Sequence, residues 1–161
     1  MVNAVIESGG RKISVGYSTE MFQPRSLGGR GSIRYEPFPL HSLCISTRLR
    51  SAPEFYLTLS KKDSLSRLWR WTGILKGIDM GVREFDSKYV IKSSDEAAAK
   101  RILSNARTRE LFSALLAQFE RAGVSGGNAY AETPVENAPG TIPAGSAGLL
   151  AKLAGEIEKS T

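Results

Sequence analysis

Three carboxylates fall close together in "GIDMGVREFDSKYV": Asp79, Glu84 and Asp86. Glu84 and Asp86 are two residues apart, so on an extended chain they would face the same way. With Asp79 they could form a general acid/base pair or an oxygen site for a hard cation. The spacing is not that of an EF-hand loop. Arg83 and Lys88 are at hand as ion-pair partners, and turn amides compete for the same oxygens. We therefore expect these acids to hold backbone in place. Hydrolysis with Asp79, Glu84 and Asp86 as the acid/base or metal group stands as an alternative.

The remaining reactive side chains are sparse. The chain has one histidine, His41, and one cysteine, Cys44. Three apart on a strand, they would lie on opposite sides and could not act as a nucleophile–base pair. They are also too few for a zinc site without carboxylates. "LGGRGS" (27–32) is glycine-rich but lacks the Gly-Lys-Ser/Thr ending of a phosphate loop. Its neighbours Arg25, Arg30 and Arg34 could touch phosphates without order. We assign no catalytic residue, no metal ligand, no cofactor and no specific small molecule.

The segment "KKDSLSRLWRWTG" (61–73) offers binding chemistry. Lys61, Lys62, Arg67 and Arg70 interleave with Trp69 and Trp71, the two tryptophans of the chain. Rings between cations suit a protein partner, for which Trp and Arg serve as anchors. They suit an anionic membrane surface, with tryptophan at the interface and basic groups at the headgroups. They also suit single-stranded nucleic acid, with bases on rings and phosphates on guanidinium groups. The competing reading is a short helix with Trp69 in the core, its charged neighbours extending into solvent.

Charge agrees with an anionic partner. The formal net charge is +6, and residues 61–92 carry eight Lys/Arg against four Asp/Glu. Residues 124–161 are slightly acidic. A single cysteine excludes an intramolecular disulfide. "MVNAVIESGG" lacks the basic start and apolar stretch of a signal peptide, and no window approaches the ~18 apolar residues of a membrane span. The expectation is a cytoplasmic protein, able to sit peripherally at a membrane.

The elements that must position these groups follow from pattern. "NAVIESGGRKISVGY" reads as a hairpin turning at Gly9 and Gly10. Leu43, Ile45, Thr47 and Leu49 share one side of a strand, as do Phe55, Leu57 and Leu59. Leu65, Leu68, Trp69 and Thr72 fall at helical spacing. Tyr89 and Ile91 mark another strand. Ser93 and Glu96 then have capping-box spacing before a helix with Ala98, Ala99, Ile102 and Leu103 inward. Leu111, Phe112, Leu115, Leu116 and Phe119 define a helix over about 106–121, started by Asn105 and stopped by "GVSGG". Ala131 and Thr133 fit a short strand near Tyr130. Leu149, Leu150, Leu153 and Ile157 share one side of a last helix, with Ser146 as its cap.

The stretch Gly81, Phe85, Asp86, Tyr89, Val90, Ile91, Asp95 and Leu103, with "RELFSAL" following, resembles a family of uncharacterised prokaryotic soluble domains that often accompany membrane-associated regions. The resemblance covers about residues 55–116. That group has no established activity, so the resemblance implies a fold element and no site residue.

The sequence thus predicts an α+β fold: a small antiparallel sheet of four to six strands against two or three helices. Residues 1–123 would form the core domain. Residues 124–161 would add a Gly/Pro-rich segment and a C-terminal helix packed on it. The first-half strands lack intervening helical pattern, which disfavours a βαβ unit. The expected function is a non-enzymatic binding or scaffold module using 61–71. A nucleic-acid-binding module is a further alternative.

Overall fold

The tripeptide Ser-Gly-Gly occurs twice, at 8–10 and 125–127, and each copy turns a hairpin. Both glycines of each pair have positive φ: 57° and 71° at Gly9 and Gly10, 55° and 74° at Gly126 and Gly127. Two positive-φ residues in succession give the turn whose twist matches right-twisted strands. The first hairpin joins β1 (Val2–Ser8) to β2 (Arg11–Phe22), and the second joins β6 (Arg121–Ser125) to β7 (Asn128–Pro134). The computed structural model describes residues 2–22, 38–51, 53–62, 77–134 and 141–161.

With β3 (Phe38–Arg48), β4 (Leu57–Lys61) and β5 (Tyr89–Ser93), these strands form one antiparallel sheet in the order β1-β2-β3-β7-β6-β4-β5. Four helices are described: α1 (Arg83–Lys88), α2 (Glu96–Ser104), α3 (Ala106–Gln118) and α4 (Ser146–Ser160). The α+β class holds, but the sheet has seven strands and is larger than the small one expected. The missing strand is β6. Its inward residues are Ala122 and Val124, facing Ala131 and Ala129 across the register. Alanine contributes little period contrast, so a sequence reading takes "GVSGG" for a helix stop. Residue 124, placed by the sequence at the start of a Gly/Pro-rich segment, lies inside β6.

Strands β5 and β6 flank β4 and are each antiparallel to it, so they run parallel to one another. The connection α2–α3 carries the chain across β4, a split βαβ arrangement within the antiparallel sheet. One sheet face meets the helices. Ile13, Ile45, Leu57, Leu59, Ala122, Val124, Ala129 and Ala131 are fully buried there, against Phe112, Leu115, Phe119, Leu150, Leu153 and Ile157. Phe55 and Tyr89, expected in the core, are partly buried at its margin.

Two helix caps differ from expectation. The α2 N-cap is Asp95, whose carboxylate accepts from the Ala98 amide at 2.9 Å. Ser93 instead donates its hydroxyl to the Tyr56 carbonyl at 2.6 Å, tying the end of β5 to the approach to β4. Glu96 faces solvent and pairs with Lys100 one turn on. The α4 N-cap is Gly145 in a left-handed conformation (φ 80°), and Ser146 is buried as the first helical residue with no partner for its hydroxyl. Asn105 caps α3 as expected, accepting from the Arg107 amide.

Candidate functional site

Asp79 and Asp86 come together beside Gly81, and Glu84 stands apart from them. Asp86 uses both carboxylate oxygens as acceptors, one for the Met80 amide at 3.1 Å and one for the Val82 amide at 2.9 Å. Asp79 accepts from the Gly81 amide at 2.7 Å. Gly81 has a φ of 72°, which opens the backbone so that these amides point at carboxylates. Glu84 turns away to pair with exposed Lys88 at 2.8 Å. The Gly81 amide, then a hydrogen bond with the Asp86 carboxyl, hold Asp79 below the usual carboxylate range. Lys88 likewise lowers Glu84.

Asp79 and Asp86 line a shallow, open depression with Gly81, Arg83 and Ser87. The amides from which Asp86 accepts at both oxygens, and Asp79 at one, tie these carboxylates to the backbone of the turn. Among the described residues, no group of three His, Cys, Asp or Glu could hold a metal ion.

His41 and Cys44 lie in β3 at positions of opposite parity, and so on opposite faces. His41 is exposed, and its Nδ1 lies 3.0 Å from the Thr19 hydroxyl, its cross-strand neighbour. The Cys44 thiol is half-buried.

Of the basic-aromatic segment, Lys61 and Lys62 are described. Lys61 is the last residue of β4, in register with Tyr89 of β5, and its amide donates to the Glu120 carbonyl. Lys62 is exposed. Arg67, Trp69, Arg70 and Trp71 lie outside the described residues, as do the helix expected there and Arg25, Arg30 and Arg34. The chain is described again from Gly77, and the Ile78 amide donates to the Ile91 carbonyl of β5 at 2.9 Å.

A second edge was not singled out by its residue types. Strand β1 ends the sheet opposite β5, with Val5 57% and Ile6 40% exposed. "NAVIES" is too short and mildly apolar to distinguish an edge strand from a central one. Among the described residues, no helix is long and apolar enough to cross a membrane.

Compared with known proteins, the chain matches no family model. No curated protein matches it either. Among solved structures it is similar to that of the mycobacterial trehalose monomycolate transport factor A, TtfA, at 13% identity and a TM-score of 0.47, over 92% of this chain and 71% of that one.

Proposed function

We propose that this chain is a non-catalytic binding module that meets an anionic membrane surface or a protein partner through residues 61–71. The supporting observation is how that segment is attached. It leaves the sheet at Lys61, beside Tyr89 of edge strand β5, and the chain rejoins the same strand at Ile78. The stretch 61–78, holding both tryptophans and five cations, is thus attached at both ends beside one sheet edge. Rings supply apolar contact and Lys/Arg supply headgroup or carboxylate pairing, so binding weakens as salt screens the charges. The acids at 79–86 serve this reading by fixing the turn that returns the chain to β5.

The test compares the protein with a Trp71→Ala/Arg70→Ala variant on vesicles of anionic and of zwitterionic lipid and on single-stranded oligonucleotides. Selective, salt-sensitive binding to anionic vesicles that the double substitution abolishes is the expected result. Equal binding by the two proteins overturns the proposal. Preference for oligonucleotides moves the assignment to a nucleic-acid module.

A further inference from the structure

Among the described residues strand β1 has one neighbour, β2, and no strand pairs with the other side of its backbone. The register identifies which groups that side presents. Ser8 and Arg11 close the two-residue turn and are a hydrogen-bonded pair. Pairing alternates from there along an antiparallel ladder, so Ile6 and Ala4 turn their amides and carbonyls toward β2. Val5 and Glu7 turn theirs outward. The same stretch exposes Val5 on the sheet face away from the helices and Ile6 on the face toward them. Natural edges are usually blunted by lysine, proline or an inward charge. Between Ala4 and Ser8 the one charge is Glu7, opposite Lys12 in register.

We infer that β1 is a self-pairing edge, and that the chain forms a two-fold dimer through antiparallel contact of two β1 strands centred on Val5. A second copy suits this edge because the register it needs is self-complementary. With the axis at Val5, each Val5 exchanges its outward amide and carbonyl with its counterpart. Val5 then packs on Val5, and Ile6 lies beside the second copy's Ala4. An axis at Ile6 would put at the centre a residue whose polar backbone already faces β2. An axis between the two would place the helices of the two copies on opposite faces.

Helix α4 leaves room for this arrangement. It crosses the hairpin at its turn end, where Gly9 lies against Ala151 and Ser8 near Gly148. The two α4 helices would stand at opposite ends of the strand pair, with the Ile6–Ala4 rows open between them. A register irregularity between Val2 and Ala4 limits the regular ladder. The contact is therefore smaller than the ~800 Å² per partner of a standard interface, and the dimer dissociates on dilution.

The experiment is sedimentation or light scattering of the full chain over a roughly hundredfold concentration range. The wild type shows a monomer–dimer equilibrium. Val5→Pro, which removes an outward amide and leaves the β1–β2 ladder intact, weakens dimerisation about tenfold or more, as does Val5→Lys. In a Cys44→Ser background, Val5→Cys cross-links under mild oxidation, because directly paired Cα atoms lie about 5.5 Å apart. Glu7→Cys does not, being offset from its counterpart by four residues, roughly 13 Å.

A monomeric wild type across the range overturns the inference. So does a dimer undiminished in both variants, or equal cross-linking at both positions. Should the Val5 variants fail to fold, amide exchange in the wild type decides: protection of Val5 and Glu7 must rise with concentration, and concentration-independent exchange overturns the dimer. Residues 61–71 attach at the opposite end of the sheet, so these readouts and the vesicle assay fail independently.

Discussion

The two Ser-Gly-Gly hairpins share a turn and differ in almost everything else. At Gly126–Gly127 the flanking strands are central, and Ala122, Val124, Ala129 and Ala131 are fully buried. At Gly9–Gly10 the outer strand is the sheet edge and carries two of the exposed large apolar residues. The central hairpin is made of small residues because it must fit between neighbours on both sides and beneath helices. The edge hairpin carries Val5 and Ile6, residues with β-branched surface to offer. The comparison teaches that turn chemistry decides that a hairpin forms, while side-chain volume in the strands decides how tightly it can be enclosed.

The largest test of that difference is Gly123→Ala. A Cβ at this position would run into the Leu57 carbonyl of β4. The nearest atoms are all β4 backbone, at Leu57 and Thr58, so no flexible side chain can yield. We expect a loss of about 3 kcal/mol or more in denaturant unfolding. A loss well under that would mean the centre of the sheet is looser than the packing implies.

Next is the clamp holding the edge hairpin to the body. Arg11 and Glu158 form a two-point ion pair with side chains 12% and 14% exposed, and Glu158 also accepts from the Arg50 amide. Arg11→Ala leaves that carboxylate without its cation and should cost about 2 kcal/mol. Arg11 first, against burial and with help from the Arg50 amide, holds Glu158 below the usual glutamate range. The folded state therefore binds that proton less readily than the unfolded chain. The stabilisation is fully present above the unfolded value of about 4.3, and is lost as pH falls through the depressed folded value. Urea midpoints measured from neutral to acidic pH should converge for wild type and Arg11→Ala at the acid end. Parallel curves would show that the pair does not couple to protonation.

The smallest effect is expected from two turn substitutions, at the second glycine of the first turn and the first glycine of the second. Gly10→Ala and Gly126→Ala each place a Cβ in open space at positive φ. Both should lose about 1 kcal/mol from conformation alone, despite their different surroundings. Asn at the same positions should recover part of it, and a loss well above this at either position would show that the added Cβ meets more than open space.

Much of the helical layer was legible. Leu111, Phe112, Leu115 and Leu116 repeat at the helical period and are buried, and Asn105 starts α3 as its side chain requires. Leu150, Leu153 and Ile157 mark the inner side of α4 in the same way. Strand β6 was hidden because Ala122 and Gly123 give no alternation to read. Ser93 and Glu96 have capping-box spacing, yet β5 runs through Ser93, and the Tyr56 carbonyl captures its hydroxyl before a helix can. At the candidate site, the structural duty of Asp86 and Asp79 was readable from nearby glycine and turn amides. The attachment of Lys61 beside Tyr89 was not, because those residues are 28 apart in the chain and meet only through register.

Acting alone, the sequence determined where the chain turns, which helices are amphipathic and which residues lie on their inner sides. Those features depend on interactions within one or two turns of backbone. Only the tertiary structure decided that one hairpin is central and the other an edge, that β5 and β6 flank β4, and that the basic-aromatic segment is anchored beside β5. Strand neighbours are chosen by the fit of surfaces remote in sequence, and no local rule specifies which of several apolar strands will lie side by side.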